Sequence, residues 1–60
     1  MRKMLTPKDI EEIMGFGKKK TMKIINCDGF PKIQIGRSVL IPEDEFEKWI
    51  QVNIGKTIEI

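Results

Sequence analysis

The run Met14-Gly15-Phe16-Gly17-Lys18 constrains this chain more than any other stretch. Helical spacing holds on both sides of it, and the two glycines leave a turn of only two or three residues between. Upstream, Thr6-Pro7-Lys8-Asp9 reads as a helix start. Threonine accepts from a free backbone N–H, proline suits the first helical position, and an acid three residues on nearly completes a capping box. Ile10, Ile13 and Met14 recur at helical spacing, with Leu5 as staple partner, so a helix is expected over 7–14 with all three on its apolar stripe. Gly15 ends it where a left-handed residue costs least. Gly17 then caps a second helix over 18–26. Thr21, Ile24 and Ile25 make one face of it, and Lys18, Lys19, Lys20 and Lys23 crowd the other. Three cations in a first turn oppose the helix dipole. A helix that accepts this cost has a use for cations there, and phosphate is the obvious one.

The second half is of a different kind. Asp28-Gly29-Phe30-Pro31 is a turn signal, Lys32-Ile33-Gln34-Ile35 alternates, and Val39-Leu40-Ile41 is a short apolar run. Gly36-Arg37 between them suits a tight hairpin with glycine in the first central position. Pro42-Glu43-Asp44-Glu45 opens a third helix with proline and three acids in its first turn. Phe46, Trp49, Ile50 and Asn53 form its stripe, and Gly55 stops it. Phe16, Phe30, Phe46 and Trp49 are all expected in the core, because a chain this short needs their bulk. Alternation turns Leu40 away from Val39 and Ile41, so it is expected to be exposed. The expected fold is small α+β: helix, tight turn, helix, two-stranded wing, helix, which is a winged helix-turn-helix. Residues 1–5 are expected as a basic N-terminal arm, 6–53 as the domain, and 54–60 as a tail.

Composition excludes several function classes. Sixty residues make one domain with a thin core and no room for a walled substrate cleft. No apolar run is long enough to span a membrane, and no apolar block follows Arg2 and Lys3, which argues against a signal peptide. Cys27 is the single cysteine and there is no histidine, so neither a disulfide, a thiol–imidazole pair nor a cysteine-based metal site is expected. Glu43 and Glu47 sit four apart on a solvated helix with no cleft. No catalytic residue, metal or cofactor is therefore expected, and a reducing cytoplasm fits. The charge is polarised. Between Phe16 and Ser38, Lys18, Lys19, Lys20, Lys23, Lys32 and Arg37 stand against Asp28 alone, a net +5. The rest holds five cations and eight anions, a net −3. A basic middle between acidic flanks is the footprint of a protein that meets a polyanion.

From Leu5-Thr6-Pro7-Lys8-Asp9-Ile10 through Met14-Gly15-Phe16-Gly17-Lys18, Ile24-Ile25, Gly29-Phe30-Pro31, Ile35-Gly36-Arg37 and Ile41-Pro42 to Trp49-Ile50, the chain resembles the excisionase and AlpA-like group of the MerR-type winged-helix superfamily. Glu11 stands where members often carry alanine, and Met22 where many carry tyrosine. The resemblance implies a second helix that reads the major groove of double-stranded DNA and a wing that reaches the adjacent minor groove. Its recognition positions fall on Lys18, Lys19, Lys20, Met22 and Lys23, and its wing tip on Arg37. Gln34 and Ser38 flank that tip and are further candidates for phosphate contacts. The function implied is that of a recombination directionality factor on a mobile element, binding beside an integrase and acting architecturally. A phage- or plasmid-type transcription regulator uses the same residues, and a protein adaptor with a basic face is a more distant reading. Lysine holds phosphate but discriminates bases poorly, so specificity is expected from several copies side by side. Leu40 or the tail residues Ile54, Ile58 and Ile60 are the contacts expected between them.

Overall fold

Thr6 organises the first element. Its Oγ1 accepts from Asp9 N at 3.3 Å, and its own N–H donates to Asp9 Oδ2 at 2.9 Å, so the capping box is complete. The Thr6 backbone N–H, and after it the Thr6 side chain, favour the ionised carboxylate and hold Asp9 below the ordinary aspartate range. A computed structural model describes residues 3–60. Its elements run β1 (Met4–Leu5), α1 (Pro7–Met14), α2 (Lys18–Ile25), β2 (Ile33–Ile35), β3 (Ser38–Pro42) and α3 (Glu43–Asn53). Gly15 closes α1 in the left-handed conformation, with its N–H on Glu11 O, and Gly17 caps α2.

The sheet has three antiparallel strands in the order β1-β3-β2, one more than the expected two-stranded wing. The third is β1, in the stretch expected as an arm; Met1 and Arg2 of that arm lie outside the described residues. Met4 pairs with Pro42 and Leu5 with Ile41, and Glu43 N donates to Lys3 O at 2.9 Å. Two residues show no alternation of their own, so the strand exists only through its partner. The hairpin pairs Ile33 with Leu40, Gln34 with Val39 and Ile35 with Ser38, which leaves Gly36-Arg37 as a two-residue turn. Gly36 has φ 58°, and no non-glycine residue among those described has a positive φ. Such a turn takes glycine first and matches the twist of the strands it joins.

The core is Leu5, Ile10, Ile24, Ile25, Phe30, Ile41 and Phe46, all buried. Leu5 and Ile10 stand immediately before the cap and four residues after it, the staple arrangement. Phe30 is the hub of an aromatic cluster, 5.0 Å from the Trp49 ring, edge-on, and 5.9 Å from Phe46. α1 packs chiefly on α2, and α3 on β3.

Four expectations change. Ile13 is 56% exposed; a two-turn helix with Ile10 fully buried points its neighbour 300° round the axis outward. Phe16 is not core either, at 39% exposed, because it lies in the turn between helices. Leu40 is half-buried rather than exposed, paired with Ile33 on the neighbouring strand. Pro42 ends β3 and caps α3 instead of entering it.

Candidate nucleic-acid interface

Burial of Thr21, Ile24 and Ile25 fixes the rotation of α2 and turns Lys19, Lys23 and Asn26 outward together. These three are spaced i, i+4 and i+7, so they form one row. Lys18, Lys19, Lys20 and Lys23 are all exposed, and among the described residues none makes an ion pair with a carboxylate. The first turn of α2 holds no acid, and Gly17 offers no side-chain cap. The helix N-terminus therefore presents free N–H groups beside three ammonium groups. An α-helix with its side chains is about 10–12 Å across, which fits the width of a B-DNA major groove.

Two of the expected residues stand differently from the rest. Lys20 lies on the flank of α2, its Nζ 4.3 Å from the centre of the Phe16 ring, a cation–π contact that steadies the side chain. Met22 is half-buried against the core. Sequence reasoning passed over Asn26 and Lys32. Lys32 Nζ donates to Asn26 Oδ1 at 2.7 Å, which places a further cation at the C-terminal end of α2. The signal was present, because Asn26 continues the Lys19–Lys23 row and Lys32 belongs to the basic middle of the chain.

A second cluster sits at the hairpin tip. Gly36-Arg37 puts the Arg37 side chain at the turn with Ser38 beside it, both exposed. Gln34 Nε2 donates to Gly36 O at 3.1 Å and bridges the turn. The acidic first turn of α3 carries Glu43, Asp44 and Glu45, where anions suit the helix dipole.

Two short helices are joined by a three-residue turn, with the basic face on the second, which is the helix-turn-helix arrangement. A family model described as a helix-turn-helix domain matches residues 4–53. The chain belongs to that helix-turn-helix family. It is a family that includes excisionase-like DNA-binding proteins. The match starts at β1 and ends with α3, so the helix-turn-helix domain here takes in the whole three-stranded sheet. No curated protein and no solved structure matches the chain. No helix among the described residues is long and apolar enough to cross a membrane.

Proposed function

We propose that this chain binds double-stranded DNA site-selectively, with α2 in the major groove and the β2–β3 hairpin at the neighbouring minor groove, and that it works as an excisionase-type architectural factor beside an integrase. The observation that carries this reading is the row of exposed, unpaired lysines on α2. A solvated lysine face is common, but here it coincides with the second helix of a helix-turn-helix domain. Lys18, Lys19 and Lys23 serve phosphates as point charges, and Arg37 at the wing tip suits the stronger negative potential of a narrow minor groove. Asn26 supplies an amide that can bond an adenine edge once Lys32 releases it. The module spans 30 × 26 × 20 Å, less than one turn of duplex, so a specific site calls for more than one copy or for a larger partner. The excisionase role rests on the family and the resemblance, and a promoter-binding regulator would use the same surface.

Titrating a duplex with the wild type and with the double variant Lys19→Ala/Lys23→Ala tests the interface. Three phosphate contacts give log K a slope against log salt of about −2.7, and the variant loses about two contacts' worth of that slope. Its affinity falls about tenfold or more, while the thermal melt moves by the equivalent of about 0.5 kcal/mol or less. Equal affinity and an equal salt slope in the two proteins would remove α2 as the reading element. Circular-permutation gels on a bound fragment then separate the two roles, since an architectural factor bends its site.

A further inference from the structure

We infer that residues 56–60 form a displaceable strap that covers one flank of α2 and must leave before DNA can seat there. The inference rests on α2 being the DNA-reading helix. Gly55, with φ 86°, turns the chain back at the end of α3, and the segment then returns across the molecule. Between α2 and α3 lies an open groove of about 440 Å³, walled by Phe16 and Ile24 on one side and Trp49 and Ile50 on the other. Ile58 and Ile60 line the same groove. Further along, Ile60 shares a surface hollow with Lys19, Lys20 and Lys23 and no other residue. Glu59 and Ile60 share the next hollow with Lys23, Asn26 and Asp28. The segment thus ends on the cations that the proposed function assigns to phosphate, and the isoleucines that the sequence offered to a neighbouring copy line a groove of their own chain.

The segment is held loosely. It joins no strand, and its one backbone bond among the described residues is at its root, from Lys56 N to Asn53 O at 3.0 Å. Ile58 remains 37% exposed and Ile60 53%. Glu59 approaches Lys23 without an ion pair. A phosphate arriving at Lys19 or Lys23 meets the Ile60 side chain and a carboxylate of its own sign, both of which disfavour it. Apolar burial closes the strap, and the electrostatic gain from a duplex opens it. Apparent affinity is then the intrinsic affinity reduced by the fraction of molecules with the strap open.

The test compares the full chain, a chain ending at Gly55, and the double variant Ile58→Ser/Ile60→Ser, each titrated with a random-sequence duplex of about one and a half helical turns at low salt. Both altered proteins should bind about fivefold tighter than the full chain, the factor for a strap open about a fifth of the time. Trp49, the chain's single tryptophan, reports the same event. Its emission should shift to the red when the full chain binds duplex, and should already be red-shifted and indifferent to duplex in the shortened chain. The serine variant keeps the measurement meaningful if the shortened chain unfolds. Equal or weaker binding by the altered proteins, with ordinary binding by the full chain, overturns the strap and leaves the DNA reading standing. No binding by any of the three overturns both.

Discussion

Thr21 shows how one atom can be out of place in an otherwise consistent core. It is fully buried, and its Oγ1 has no hydrogen-bond partner among the described residues. A buried hydroxyl left unsatisfied carries a desolvation penalty that a same-shaped apolar group avoids. Thr21→Val is therefore expected to stabilise the domain by about 1 kcal/mol, a rise in Tm of about 4–8 °C for a domain of this size. An unchanged or lower melt would show that the hydroxyl is satisfied after all, most simply by the Gly17 carbonyl one turn back. Residue-level legibility was uneven. The capping box was readable because its partners are three residues apart, and Ile24 and Ile25 because a helix face declares itself locally. Ile13 and Phe16 were misplaced because spacing states which residues share a stripe but not how wide a stripe the rest of the fold covers. The Lys20 contact to Phe16 was invisible for the same reason, since it depends on the geometry of the turn between the helices.

At the level of elements, the wing depends on a single backbone angle. Gly36 at φ 58° lets β2 and β3 meet through two residues, and a side chain there is strained although the space around it is open. Gly36→Ala should cost about 1 kcal/mol in a thermal melt. It should also weaken duplex binding by re-aiming Arg37, while a substitution at solvent-exposed Glu12 does neither. If the alanine variant melts and binds as the wild type does, Arg37 is not positioned by this turn. Both helices of the pair, the hairpin and the third helix were legible, because each has its own start, stop and period. β1 was not, because a two-residue strand has no period, and its existence is decided by Ile41 and Pro42 nearly forty residues away. Within the candidate interface, the exposure of the four lysines of α2 was legible from the apolar face opposite them. Lys32 was counted in the basic middle of the chain but not placed beside α2, because its bond to Asn26 joins residues six apart across the end of the helix.

At the scale of the whole molecule, β3 does two jobs. It carries the hairpin on one edge and holds the start of the chain on the other. The helical pair and the hairpin are made of contacts between near neighbours in sequence, whereas the pairing of Met4 with Pro42 and Leu5 with Ile41 closes a loop around nearly everything else. Closing a long loop is entropically slow to be rewarded, so the local pieces should assemble first and this seam last. Leu5→Ala removes a buried side chain from that seam and should cost about 2–5 kcal/mol. Stopped-flow measurement should find most of the loss as faster unfolding, with refolding little altered. A refolding rate that drops in full proportion would place the seam in the folding nucleus. During synthesis on a ribosome, the helical pair can form while the wing is still inside the exit tunnel. The sheet has to wait until Pro42 has emerged, so the lysine face is presented to the cell before the seam between β1 and β3 has closed.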